Sequence, residues 1–388
     1  MREPNEFELR KFVAPEFVFG FDARKLAGRY ARNFGARKVL VVTDAGVKAA
    51  GWADDVIGHL RGEGLEYALY DAVTSNPKVA EVESGADYYR SEGCDVIVAV
   101  GGGSPMDCAK GIGIVCSNNK SVLAFEGVDQ VELPSPPLIC IPTTAGSSAD
   151  VSQFAIITDT LKRSKFAIIS KMVVPDVALI DPVTTTTMDA HLTASTGLDA
   201  LCHAIESFVS TAHSPITDLH ALQAVELVTA NLARALGEPD NLVLRGRMTL
   251  ASLEAGLAFS NASLGAVHAM AHSLGGLLDS THGECNAILL PHVIGFNFGA
   301  ARERYLEIGR AMGLGPERAD PERALWAIRA QLARLIQAAG IPSTLSQLGV
   351  SRDDIPKLAQ GALSDPCIFT NPRQPSKQEV EAIYEQAF

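Results

Sequence analysis

The first half of this chain alternates short β-branched runs with helical stretches, and the second half has hardly a strand signal. ARKVLVVTD (Ala36 to Asp44), LEYALYD (Leu65 to Asp71), CDVIVAVGGGS (Cys94 to Ser104), SPPLICIPTT (Ser135 to Thr144) and VPDVALID (Val174 to Asp181) read as strands. Helical sequence lies between them, from Gly46 onward and from Val79 to Gly93. Continuous apolar runs mark strands buried on both faces, and strands separated by helices mark a largely parallel sheet. From about Leu198 onward, segments such as LHALQAVELVTANLARAL and ALWAIRAQLARLIQAAG carry Ala, Leu and charged residues at helical spacing. Pro182 and the four threonines after Val183 interrupt both patterns, which puts a boundary near residues 182–190. The expectation is an α/β domain over residues 1–185 and an all-helical domain over 186–388.

A chain of 388 residues can bury two separate cores, and its 47% apolar and 20% charged composition is that of an ordinary globular protein. A net charge of −12 argues against a nucleic-acid footprint, which would be basic. It does not exclude an anionic cofactor held by backbone amides and a few lysines. The amino-terminal MREPNEFELRKF has mixed charges and no apolar run, so it does not read as a secretory leader. No stretch approaches the roughly 18–20 apolar residues of a membrane span. Seven scattered cysteines without a C-x-x-C pair favour a reducing compartment, and the expected location is cytoplasmic.

Three strand ends carry cofactor signals. VIVAVGGGSPMDCAKGIG sets Gly101, Gly102, Gly103 and Ser104 between a buried strand and a helix starting near Pro105. Glycines allow close backbone approach, and free amides at a helix start attract phosphate. The run is not a G-x-G-x-x-G fingerprint, because Met106 stands at the last glycine position, and it fits a plain tight turn as well. Asp44 ends the first strand, where a carboxylate can bind ribose hydroxyls and repel a 2′-phosphate, or simply cap a helix. IPTTAGSSADV (Ile141 to Val151) adds a hydroxyl-rich loop after another strand. Together they suggest a dinucleotide across the carboxyl edge of the sheet, with nicotinamide favoured over flavin.

A second constellation lies in the helical half. STGLDALCHAIE places Asp199 and His203 four residues apart, and AVHAMAHSLGGLLDSTH carries His268, His272 and His282. Residues at i and i+4 share one helix face. Their neighbours are apolar or small, and burying a carboxylate and imidazoles is costly unless something satisfies them. A divalent ion such as Fe²⁺ or Zn²⁺ suits that donor set, with three or four histidines as the open question. His282-Gly283 reads as part of a turn after Thr281.

GGGSPMDCAK, IPTTAGSSADV, LIDP, TGLDALCHAIE, VHAMAHSLGG, HGECNAILLPH and TNPR, in this order over nearly the whole chain, closely resemble the iron-containing (group III) alcohol dehydrogenases. The resemblance implies a dehydroquinate synthase-like architecture, with an N-terminal dinucleotide-binding α/β domain and an all-α C-terminal domain. It implies one divalent metal, Fe²⁺ first and Zn²⁺ as the alternative, held by Asp199, His203, His268 and His282. His272 is implied beside the substrate as a catalytic group. Asn76, Gly102, Gly103, Ser104, Asp107, Thr143, Thr144, Ser147 and Lys165 match cofactor contacts, and Asp44 sits where NAD-preferring members carry an aspartate. The implied activity is hydride transfer between a metal-bound primary alcohol or aldehyde and NAD(H) in the interdomain cleft, in a homodimer or higher homo-oligomer. The partners expected are thus small molecules, with no nucleic acid and no membrane.

Two segments depart from the family pattern. Where the family reads TTAGTGSE, this chain has Ser148 for the second glycine and Asp150 for the glutamate, and Thr281 replaces a common proline before His282. Rival readings are a hydroxyacid–oxoacid transhydrogenase, a glycerol dehydrogenase-like polyol enzyme, and a metal-dependent hydrolase or lyase. A dehydroquinate synthase-type lyase is disfavoured, since Arg234, Arg245 and Arg247 are the only cationic side chains between Thr193 and Asn286.

Overall fold

The computed structural model describes residues 8–162, 164–278, 281–315 and 320–388. Most of the amino-terminal stretch read above, Arg163 in the KRSKF segment, and Asp279 and Ser280 in the histidine-bearing stretch lie outside them. The chain forms two compact units, Val13–Met188 and Asp189–Phe388, with residues 8–12 grouped in the second. None of the described helices is long and apolar enough to cross a membrane.

Among its described residues the Val13–Met188 unit contains nine strands: β1 (Glu16–Phe19), β2 (Lys38–Asp44), β3 (Glu66–Val73), β4 (Val96–Gly101), β5 (Gly127–Val128), β6 (Leu138–Pro142), β7 (Phe154–Asp159), β8 (Ser164–Ile169) and β9 (Val177–Ile180). Six form one sheet in the order β1-β9-β6-β4-β2-β3, and every neighbouring pair is parallel. The continuous apolar runs have a direct cause. In β4, Val96, Val98 and Val100 enter the core on one face while Ile97 and Ala99 enter the core on the other. Each face is buried, so no position in the strand is left to water. All the main strands therefore end on the same side of the sheet, and the loops there carry the glycines and hydroxyls singled out above.

A smaller sheet, β5-β8-β7, was not expected from the sequence; β7 and β8 form an antiparallel hairpin. The helix Gly103–Asn118 holds it in place. Asp107 Oδ2 accepts the Ile156 amide at 3.1 Å, and the fully buried Lys110 Nζ donates to the carbonyls of Ser152 at 3.0 Å and Phe154 at 2.6 Å. The threonines after Val183 also have structure: Pro182–Thr187 is a 3₁₀ turn capped by Asp181, which accepts the Val183 amide at 3.0 Å. Asp181 is in turn buried against Arg24 at 2.6 Å, which ties the end of β9 to the start of the unit.

The Asp189–Phe388 unit contains no strand among its described residues. The helices Ala190–Val209, Pro215–Gly237 and Leu242–Ala262 pack tightly. At Gly197 an added Cβ would stand 2.6 Å from Leu232 and 3.1 Å from Met248. The helices Ala266–Leu278 and His282–Asn297 follow. His282 is thus the first helical residue, with Thr281 as its N-cap, where the sequence suggested a turn.

Candidate metal centre and nucleotide cradle

In the helical unit, Asp199 and His203 lie one turn apart on a helix whose other residues there are apolar, and both are buried. Asp189 caps this helix by accepting the Leu192 amide at 2.7 Å. The His268 side chain comes from a second ligand-bearing helix, Ala266–Leu278, and His282 from the start of a third, His282–Asn297. The three helices aim at one atom. Asp199 Oδ1 lies 3.7 Å from His268 Nε2, 3.9 Å from His282 Nε2 and 4.0 Å from His203 Nε2. Ligand atoms of Asp199, His268 and His282 all fall within 4.8 Å of one another. Ligands of a tetrahedral ion with 2.0–2.1 Å bonds lie about 3.3 Å apart, so the imidazoles stand roughly half an ångström too far from Asp199 Oδ1, and His203 lies outside the tight group of three.

A donor already stands at the focus. Asn286 Nδ2 is 2.7 Å from Asp199 Oδ1, 3.1 Å from His268 Nε2 and 3.2 Å from His282 Nε2. One carboxylate oxygen and two imidazole nitrogens thus turn their lone-pair sides to a single electropositive group, as they would to a cation. Burial alone would raise the Asp199 pKa, but the imidazoles of His203, His282 and His268 outweigh it and hold the carboxyl well below its usual range. The donor set and its charge fit a divalent metal.

His272 stands apart from this focus. Its Nδ1 is 2.7 Å from Asp365 Oδ2, and its ring stacks on His282 with centroids 5.2 Å apart. Burial would raise the Asp365 pKa, but His272, by charge and hydrogen bond, lowers it below the ordinary value. Sequence reasoning missed Asp365, Asn286 and Glu206. Glu206, three residues after His203, and Asn286, four residues after His282, each carried a local signal as neighbours on one helix face, and Asp365 carried none.

The TNPR motif also acquires a role. Asn371 Oδ1 accepts the Ala266 amide at 3.1 Å and Thr370 Oγ1 donates to the Leu264 carbonyl at 2.6 Å, which clamps the start of the His268-bearing helix. Gly283 has a steric duty. An added Cβ there would stand 2.1 Å from the Ser195 carbonyl oxygen, so glycine lets the third helix touch the first beside Asp199.

The α/β unit presents the other set. The helix Gly103–Asn118 begins at Gly102 with no capping side chain and no acidic residue in its first turn. Its amides and dipole therefore favour an anion. An added Cβ at Gly102 would meet Thr144 at 3.1 Å, and one at Gly103 would meet Ser147 at 3.1 Å. The glycines thus bring the backbone against two hydroxyl side chains of the neighbouring loop. Thr143 is buried, its amide donating to the Gly101 carbonyl at 2.9 Å. Asn76, at φ 55°, donates its amide to Ser104 Oγ at 3.2 Å and accepts Lys165 Nζ at 2.7 Å on Oδ1. Asp44 caps the short helix Ala45–Ala49, with Oδ1 accepting the Val47 amide at 2.9 Å. That leaves Oδ2 for another donor, so capping and ribose binding do not compete. Asp107 braces β7, as described above.

Ser148, the departure from the family pattern, adopts φ 51°, the left-handed region that favours glycine. Its hydroxyl donates to the Gly146 carbonyl at 3.3 Å, which helps the residue hold that conformation. Replacing Ser148 with Gly is expected to raise the thermal midpoint slightly. Ser148→Val, β-branched and without the hydroxyl, should cost about 1–2 kcal/mol. Equal midpoints for the two variants in a thermal melt would show that the loop is unstrained.

Comparison with known proteins adds an independent line. Residues 14–182 match the family model described as iron-containing alcohol dehydrogenase, and residues 193–388 match that of the Fe-containing alcohol dehydrogenase family, C-terminal. The chain is 42% identical over 373 residues to the 1,3-propanediol dehydrogenase of Citrobacter freundii, covering 95% of this chain and 96% of that one. It is 37% identical over 380 residues to the NAD-dependent methanol dehydrogenase of Bacillus methanolicus, covering 97% and 99%. Among solved structures, a 1,3-propanediol oxidoreductase superposes with a TM-score of 0.95 at 41% identity, covering 98% of this chain and all of that one.

Proposed function

The chain belongs to the iron-containing alcohol dehydrogenase family, and on that footing we propose that it interconverts a small primary alcohol and its aldehyde, with NAD as the hydride carrier. The single observation that carries the reading is the convergence of three imidazole nitrogens on Asp199 Oδ1. Asp199, His203, His268 and His282 would hold the metal. A divalent ion in that set supplies Lewis acidity, lowering the pKa of a hydroxyl and polarising a carbonyl. NAD supplies the hydride acceptor, and NADH the donor.

The remaining work falls to side chains. Asp199 is the one anionic member of the ligand set, so the site keeps positive charge to attract a substrate oxygen. Asp365 accepts the Nδ1 proton of His272, which leaves His272 Nε2 with a lone pair able to take the hydroxyl proton. Gly102 and Gly103, at an uncapped helix start, suit the pyrophosphate, and Thr143, Thr144, Ser147, Asn76, Ser104 and Lys165 offer hydroxyl, amide and ammonium donors around it. Asp107 acts by holding β7. The free oxygen of Asp44 suits a ribose hydroxyl and disfavours the 2′-phosphate of NADP. Assembly as a homodimer or larger homo-oligomer is part of the proposal. The edge strand β1 and the turn after it expose Phe17, Phe19 and Phe21, apolar surface that self-association would cover.

The test is a panel of small alcohols, followed optically as NAD⁺ or NADP⁺ is reduced, together with elemental analysis for metal. Metal-dependent reduction of NAD⁺ in preference to NADP⁺ is expected, lost on chelation and restored by Fe²⁺. Asp44→Ala should narrow the preference. Absence of reduction with every alcohol tried, in a metal-loaded sample, rules the activity out.

A further inference from the structure

Glu206 is buried two helical turns beyond Asp199 and three residues after His203, on the same helix face. Its carboxylate collects four donors. Oε1 accepts the Val267 amide at 2.7 Å, and Oε2 accepts the Gly265 amide at 3.1 Å and the His268 amide at 3.3 Å. The fourth is the His268 ring, whose Nδ1 lies 2.6 Å from Oε2. The approach is tight enough that a Cβ at Gly265 would come 2.8 Å from Oε1. Three of these bonds satisfy buried amides that lack an intrahelical partner at the start of the helix that carries His268 and His272. The fourth is of another kind: a carboxylate has no proton to give, so His268 must donate from Nδ1. In the neutral ring that leaves the lone pair on Nε2, the nitrogen that faces Asp199 Oδ1 at 3.7 Å.

We infer that Glu206 is a positioning residue for the metal, coupling the start of the His268-bearing helix to the tautomer and aim of His268. One carboxylate locks the helix start and the ligand ring together, so neither moves without the other. A metal arriving at Nε2 finds the correct lone pair already in place, and the carboxylate behind the ring makes the imidazole a stronger donor. The inference rests on the reading that Asp199, His203, His268 and His282 hold the ion.

Glu206→Gln tests it, since the amide keeps size and shape but turns an NH₂ toward at least one of the four donors. The protein stripped of metal is titrated with Zn²⁺ and with Co²⁺ against a competing chelator, and its thermal midpoint is measured alongside. The expected result is metal affinity weakened roughly 10–100-fold, with an altered Co²⁺ absorption spectrum. Glu206→Asp, which keeps a carboxylate on a shorter stem, should recover part of the loss. Wild-type affinity and an unchanged Co²⁺ spectrum in Glu206→Gln would reduce Glu206 to a helix cap and overturn the inference.

Should Glu206→Gln fail to fold, the wild-type protein still decides. In Zn²⁺-loaded protein with ¹⁵N-labelled histidine, the His268 ring must carry its proton on Nδ1, and a proton on Nε2 refutes the inference. A wild-type protein that binds no metal at all would instead sink the metal reading on which the inference stands, a distinguishable failure.

Discussion

Gly283→Ala is expected to yield a folded protein with little bound metal and almost no turnover. The new methyl would stand 2.1 Å from the Ser195 carbonyl oxygen and 2.7 Å from its carbon. Both belong to helix backbone, which cannot swing aside as a side chain could. Relief therefore requires the helix His282–Asn297 to retreat by about an ångström or more at its first turn. His282 is the residue next to the clash, and Ser195 lies one turn before Asp199 on the facing helix. The displacement falls on the pair whose Oδ1 and Nε2 atoms are 3.9 Å apart. Metal–ligand distances tolerate only about 0.2 Å of error, so a shift of that size removes His282 from the set. Metal content by elemental analysis should fall to a small fraction of wild type, and kcat/KM by roughly 100-fold or more. The overpacking itself should cost about 1–3 kcal/mol. Gly299→Ala is the control, because an added methyl there meets nothing within 4 Å. Wild-type metal content in Gly283→Ala would show that the two helices do not need this contact.

The parts of this fold that sequence reveals are those set by burial along one element. Strands β2, β4, β6 and β9 are legible because both their faces are covered, leaving uninterrupted runs such as VIVAVG. The β7–β8 hairpin was equally apolar in FAIITD and SKFAII, but its pairing depends on the grip of Asp107 and Lys110 from another element. The four-residue edge strand β1 is too short and too exposed to stand out. The site divides in the same way. Asp199 with His203, and His268 with His272, are visible as i, i+4 pairs within an apolar helix. Glu206 was in view within TGLDALCHAIE, but its partners lie some sixty residues further on, at the start of the next ligand-bearing helix. Asp365 had no local signal, because its meeting with His272 is purely tertiary. Asp44 shows how two local readings can be compatible. One oxygen caps a helix, and the other remains available.

That division of labour among the histidines bears on the last large effect. Replacing His272 with alanine should lower kcat by roughly 100- to 10,000-fold while metal content stays at the wild-type level. His272 ends its hydrogen-bond chain at Asp365, away from Asp199, and meets the metal set through ring contacts, stacked on His282 and edge-on to His268 at 6.1 Å between centroids. Loss of its ring removes a proton acceptor and leaves Asp199, His203, His268 and His282 to hold the ion. His268→Ala, by contrast, should lose metal and turnover together, since its Nε2 is the imidazole nitrogen closest to Asp199 Oδ1. Asp365→Asn separates orientation from presence. Asp365 accepts the Cys367 amide at 2.8 Å on Oδ1 and the His272 ring on Oδ2, so an amide side chain must turn its NH₂ toward one of them. If it faces His272, the ring adopts the other tautomer, with Nε2 protonated and unable to accept. Turnover in Asp365→Asn should then fall, with substrate KM and metal content close to wild type. A His272→Ala enzyme that turns over at the wild-type rate would place the proton's exit elsewhere. One that has lost its metal would instead make His272 a ligand.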